Sequence, residues 1–263
     1  MKTIQYQNKK IAYHTKGQGE TIVLLHGFME DMDMWDAHSE VLSENYQVIT
    51  IDLPGHGKSQ VVAEIHSMEM MAEIVKTIID QEKVDSCVLV GHSMGGYATL
   101  AFAELYPERL KGFGLFHSHS LADHEEAKIN RERTIDLVKQ KKGGFINQFI
   151  PSLFAEDNRI KFKAQIEKQI KKATDMDITG ITAALAGMKE RPMRLDMIAY
   201  SKVPVLFILG KQDSRIPFGK AMAQASTANT LQLNIFGQAG HMSWLEEQDA
   251  TIAALSGFMI LCK

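Results

Sequence analysis

Apolar and polar positions follow two rhythms along this chain. Residues 3–13 alternate around the polar run Asn8-Lys9-Lys10, which predicts a hairpin. Thr21-Ile22-Val23-Leu24-Leu25 is a continuous apolar run rich in β-branched residues, stopped by His26-Gly27. Comparable runs occupy 46–53, stopped by Pro54-Gly55, 86–90, stopped by Gly91, then 112–116, 205–209 and 231–236. Short uninterrupted runs of this kind predict strands covered on both faces, as in a parallel sheet. Between them the period changes. Met71, Ile74, Val75, Ile78 and Ile79 repeat along one face of a 3.6-residue helix that starts near Met68. Residues 97–105 and 247–261 also read as helices. Strand, tight turn, helix, strand is the order of βαβ units. The expectation is an α/β fold with a mostly parallel, doubly wound sheet of the eight-stranded type, flanked by helices.

Residues 121–200 break this rhythm. They hold no strand pattern and are helical almost throughout, punctuated by Gly143-Gly144, Pro151 and Arg191-Pro192. In the first of these helices apolar positions are sparse, being Ile129, Ile135, Leu137 and Val138. The segment reads as a helical lid inserted between two strands, with residues 1–120 and 201–263 forming the core domain. Loops at the carboxyl edge of such a sheet carry the site, so an insertion there would cover it.

Composition changes the picture only in part. At roughly 150 residues per domain, the 263 residues suit two domains or one large one with an insertion. A formal charge of −3 argues against a nucleic-acid binder, whose footprint would be basic. That total hides an asymmetry: residues 128–172 hold twelve Lys/Arg against five Asp/Glu, leaving −10 on the rest of the chain. A Lys-rich helical face is commonly a solvated surface; as a recognition surface it would suit an acidic acyl-carrier partner. Cys87 and Cys262 form no disulfide framework and have no metal-ligand spacing, Cys87 being expected inside and Cys262 at a frayed end. With free thiols, no signal-peptide pattern and no run of about 20 apolar residues, a cytoplasmic protein without a membrane span is expected.

The chemistry gathers at four turns. Gly91-His92-Ser93-Met94-Gly95 fits G-x-S-x-G between an apolar run and a helix, where a tight turn would present Ser93 to the crevice. Gly91 and Gly95 would remove the steric clash of that turn, and the helix behind it would offer free N–H groups to an anion. A serine hydroxyl needs a base, and His241 follows the last predicted strand on the same sheet edge. The base needs a carboxylate, and Asp213 lies just past the 205–209 strand. An oxyanion would take the backbone N–H of Met94 and that of Phe28, in His26-Gly27-Phe28. His26 itself reads as a turn anchor. His117 and His119 follow the 112–116 strand as loop polars that could face substrate. Phe145, Phe149, Leu153 and Phe154 recur at helical spacing, suited either to packing the lid on the body or to lining an acyl pocket, which Trp244 would join.

These turns resemble the α/β-hydrolase fold superfamily over nearly the whole chain. The resemblance rests on His26-Gly27-Phe28, Asp52-Leu53-Pro54-Gly55-His56-Gly57-Lys58-Ser59, Gly91-His92-Ser93-Met94-Gly95-Gly96, Gly210-Lys211-Gln212-Asp213 and Gly240-His241. It implies Ser93 as nucleophile, Asp213 as acid, His241 as base, Phe28 and Met94 as oxyanion donors, and a purely structural turn at 52–59. No metal or organic cofactor is implied. Dehalogenases and epoxide hydrolases of this superfamily use an aspartate nucleophile and are set aside by Ser93. Carbon–carbon bond hydrolases commonly carry Asn at the place of His92 and Trp directly after the histidine base, where this chain has Met242. The menaquinone-pathway synthase typically has Arg where Tyr97 stands. What remains is a lidded carboxylesterase acting on small or medium acyl esters through an acyl-enzyme. The alternatives are a thioesterase, methyl esterase or lactonase on carrier-bound or cyclic substrates, and a ligand receptor of the same fold.

Overall fold

The computed structural model describes all residues, Met1–Lys263. One eight-stranded sheet runs in the order β1-β2-β4-β3-β5-β6-β7-β8. Its strands are β1 (Lys2–Tyr6), β2 (Lys9–Lys16), β3 (Thr21–Leu25), β4 (Gln47–Ile51), β5 (Cys87–His92), β6 (Leu110–Phe116), β7 (Val205–Gly210) and β8 (Leu231–Phe236). β1/β2 and β2/β4 pair antiparallel, and every other pair is parallel. The β1–β2 turn falls at Gln7-Asn8, one residue earlier than the polar run suggested, and both residues take positive φ. β3, β5 and β7 are buried at every position, which is why their sequences run apolar without alternation.

The helices are α1 (Asp36–Leu42), α2 (Met68–Gln81), α3 (Met94–Leu105), α4 (Glu125–Ser152), α5 (Lys163–Asp175), α6 (Ile178–Glu190), α7 (Leu195–Ala199), α8 (Phe218–Ala225), α9 (Ser243–Glu246) and α10 (Gln248–Leu261). α2 is capped by Ser67, whose side chain accepts from Met70 N, and it buries the predicted stripe from Met71 to Ile79. α2 packs on α3, and α1 packs on α10. Cys262 is buried rather than frayed: a Cβ on Gly112 would lie 2.3 Å from its sulfur, so β6 leaves room there for the chain end.

α4 to α7 lie between β6 and β7 in sequence. Gly143-Gly144 does not end α4. The helix kinks just before it, at Lys141 (φ −144°, ψ 53°), and carries Pro151 in its last turn. Among the sparse apolar residues of its first half only Val138 is buried, so this helix shows most of its surface to solvent. Two of its segment's lysines are committed internally: Lys172 bridges Asp31 (2.7 Å) and Asp33 (3.0 Å), and Lys142 caps the carbonyls of Thr174 and Met176. No helix of the structure is long and apolar enough to cross a membrane.

Candidate active site

Ser93 sits between β5 and α3 with φ 51° and ψ −112°, a strained conformation that only a closely packed turn sustains. Its N–H donates to Phe116 O (2.9 Å) and its carbonyl accepts from Ser118 Oγ (2.8 Å). The flanking glycines are sterically required. A Cβ on Gly91 would fall 2.1 Å from the Gly95 carbonyl, and one on Gly95 would fall 2.7 Å from His26 O. The Ser93 side chain is half-buried and opens into a cavity of about 460 Å³.

His241 lines the same cavity. Its Nδ1 lies 2.8 Å from Asp213 Oδ2, which leaves Nε2 as the nitrogen available to a proton from Ser93. The serine–histidine hydrogen bond is not made in this structure; such contacts often tighten only around substrate. Asp213 is held by four donors. Oδ1 accepts from the N–H of Arg215 (2.7 Å) and Ile216 (3.0 Å), and Oδ2 receives both His241 and His117 at 2.8 Å. Burial opposes its charge, but the facing histidines outweigh burial and hold the carboxyl well below its ordinary range.

The backbone N–H groups of Phe28 and Met94 donate to no protein acceptor. Both residues are buried, and Phe28 lines the cavity. Two unpaired amides beside a serine turn can stabilise an oxyanion. His26 anchors this corner as expected. Its Nδ1 lies 2.7 Å from Gly27 O, and its Nε2 accepts from Leu53 N (2.9 Å). Burial pushes it down to about 4, so the ring is neutral. Asp52 closes the turn at 52–59 by accepting from Met32 N and Lys58 N, a structural task.

Four residues read as candidates to face substrate lie elsewhere. His117 is fully buried behind Asp213, with Nε2 2.7 Å from Ser243 Oγ, so it supports the carboxylate and does not meet the cavity. Burial pushes it down to about 4 despite Asp213 beside it. Phe154 packs on Phe162 (ring centroids 6.1 Å apart), inside the helical segment. Trp244 is buried and directs Nε1 to Glu30 Oε1 (3.3 Å). Phe145, Phe149 and Leu153 do line the cavity, Phe145 stacking on Phe149, which meets Phe28 edge-on. His119 contacts the Tyr97 hydroxyl (3.3 Å) and does not reach the cavity.

Sequence reasoning missed Glu30. Its Oε2 accepts from Gly27 N (2.7 Å) and from His92 Nδ1 (2.7 Å), while His92 Nε2 points at His241 O (2.9 Å). Both His92 nitrogens therefore face acceptors, so the ring carries two protons with Glu30 as its counter-ion. Burial opposes both charges. The Glu30 carboxylate outweighs it and raises His92, and His92 in turn lowers Glu30. Through this pair the loop after β3 is tied to the loop that holds His241. His241 N also donates to Leu153 O (2.7 Å), and Glu246 accepts from Gly240 N and Ala155 N (2.9 Å each), fastening the end of α4 to the same loop. His117, Asp213 and His241 place donor atoms within 4.8 Å of one another, but these atoms are already hydrogen-bonded to each other.

A profile of the family described as alpha/beta hydrolase fold matches residues 20–248. A thermophilic esterase from Thermogutta terrifontis, solved with malate bound, is 31% identical at a TM-score of 0.94, covering 100% of this chain and 99% of that one. The 2-hydroxy-6-oxononadienedioate/2-hydroxy-6-oxononatrienedioate hydrolase of Escherichia coli (strain K12) is 27% identical over 258 residues, 92% of this chain and 88% of that protein. The dihydrolipoyllysine-residue acetyltransferase component of the acetoin cleaving system of Cupriavidus necator is 28% identical over 247 residues. That match takes in 90% of this chain but 63% of the longer protein.

Proposed function

Because this chain belongs to the α/β-hydrolase-fold family, we propose that it is a serine esterase cleaving carboxylic esters of small or medium acyl chain. The observation that carries this reading is Asp213 Oδ2 at 2.8 Å from His241 Nδ1, on a base that shares one cavity with Ser93. Ser93 Oγ attacks the ester carbonyl while His241 Nε2 takes its proton. The amides of Phe28 and Met94 hold the oxyanion. Collapse expels the alkoxide, which leaves as the alcohol with the proton from His241. Water then adds to the acyl-enzyme with His241 as base, releasing the acid and restoring Ser93. One ester and one water give one acid and one alcohol.

The apolar wall of Phe28, Phe145, Phe149 and Leu153 suits an acyl chain, and the helices from α4 to α7 act as a lid over it. The esterase from Thermogutta terrifontis supports this class over the acetyltransferase, which matches only in part. The test is labelling by a serine-directed fluorophosphonate together with a chain-length series of 4-nitrophenyl esters and matched thioesters. Labelling of Ser93 with a sharp optimum among oxygen esters is expected. A sharp optimum among thioesters would select the thioesterase reading. Labelling without multiple turnovers of any ester would leave a ligand receptor.

A further inference from the structure

The cavity beside Ser93 is lined by two guanidiniums that the esterase reading does not use. Asp123 sits between two guanidiniums, hydrogen-bonded to Arg131 Nε and 2.7 Å from Arg191 Nη2. Arg131 turns its Nη1 to Met188 Sδ (3.6 Å), and Arg191 lies 4.0 Å over the Tyr97 ring. Arg215, also on the cavity wall, lies 4.9 Å over the Phe149 ring and donates Nη2 to Ser152 Oγ. No carboxylate lies within 4.0 Å of Arg215, and its neighbour Asp213 is turned inward with both oxygens engaged. Glu30, the other carboxylate on the cavity wall, is neutralised by His92. Arg131 and Arg215 thus line a concave, partly desolvated space; Arg131 is paired with Asp123, whereas Arg215 meets no carboxylate and is free to attract and orient an anion. Planar guanidinium forks match a carboxylate geometrically.

We propose that the site selects esters bearing a second, ionised carboxylate, such as monoesters of dicarboxylic acids, and that Arg215 receives this group. The inference rests on the esterase reading. The apolar wall takes the methylene chain, and Arg215, at the Phe149 end of that wall, takes its charged end.

The experiment compares 4-nitrophenyl hemiglutarate with the uncharged 4-nitrophenyl valerate of similar length, in wild type and in Arg215→Gln. A second arm places the carboxylate on the alcohol side, as in a neutral acyl ester of 3-hydroxybenzoate. At low salt, kcat/KM for a carboxylate ester is expected to exceed that for valerate by at least ~10-fold, the scale of one charge-assisted contact. The ratio is expected to fall toward unity in Arg215→Gln, mainly through KM, and to shrink in wild type as salt is raised. The arm that shows the preference identifies the end of the ester that meets Arg215. A ratio near unity in wild type, or one unmoved by Arg215→Gln, would overturn the carboxylate subsite while leaving the esterase reading intact. Turnover of none of the esters would defeat the esterase reading and the subsite together.

Discussion

Ser93→Ala is expected to lower kcat on activated esters by a factor of about 10⁴ to 10⁶, the range set by loss of a nucleophile in serine hydrolases. The fold should survive. The Ser93 hydroxyl opens into the cavity, and its turn is held by backbone bonds to Phe116 and Ser118 that alanine keeps. Thermal unfolding should therefore stay within about 0.5 kcal/mol of wild type. Residual turnover would come from the two free amides and from substrate binding, which the variant retains. Fluorophosphonate labelling should vanish with the hydroxyl. A variant that kept wild-type rates would remove Ser93 from the mechanism and with it the acyl-enzyme.

The behaviour of Asp213 shows why such a site is one unit. Its carboxylate receives two histidines on one oxygen and two amides on the other. His117 ties that carboxylate to Ser243, at the start of the helix that follows the base loop. Asp213 and His241 are therefore held by the ends of β6 and β7 and by α9, not by the loops alone. The same rigidity appears where Leu153 O accepts from His241 N, so the helical segment between β6 and β7 is anchored at His241 itself.

The parts of this arrangement that were legible in the sequence are the local ones. Apolar runs mark strands because burial on both faces forbids alternation, as β3, β5 and β7 show. The serine turn announces itself because only glycine fits at Gly91 and Gly95. The order of Ser93, Asp213 and His241 follows from one sheet running through the helical interruption. What stayed hidden depends on contacts between distant segments. Glu30 and His92 are 62 residues apart, and His117 and Asp213 are 96 apart. Nothing in Met29-Glu30-Asp31 separates the fully buried carboxylate of Glu30 from the partly exposed one of Asp31. Trp244 and Phe154 misled for the same reason: each has the right residue type at the right distance along the chain, but packing turns one toward Glu30 and the other toward Phe162. The kink at Lys141 was likewise unreadable, since Gly143-Gly144 allows either a helix end or a bend.

Glu30→Ala is expected to cost about 3–5 kcal/mol of stability, because it strands the His92 charge in a fully buried site and leaves Gly27 N–H without an acceptor. For a chain of this length that lowers the melting midpoint by on the order of 10 °C. Glu30→Gln keeps the size and an acceptor for Gly27 but removes the counter-ion, so it isolates the charge. The sign of its pH dependence follows from the two shifts. His92 is raised, so its contribution is fully present below about 6.5 and is lost as pH rises through its folded value. Glu30 is lowered, so its contribution is present above about 4.5 and is lost as pH falls through its folded value. The advantage of wild type over Glu30→Gln should accordingly be largest between about pH 4.5 and 6.5 and should narrow on either side. Catalysis should suffer too, since the pair joins the loop of Gly27 and Phe28 to the carbonyl of His241. A misplacement of about 1 Å there can cost ~100-fold in kcat. Melting curves and kcat measured across that pH range test both effects. A Glu30→Gln protein whose stability followed wild type at a constant offset would show that the His92–Glu30 charges contribute nothing beyond shape.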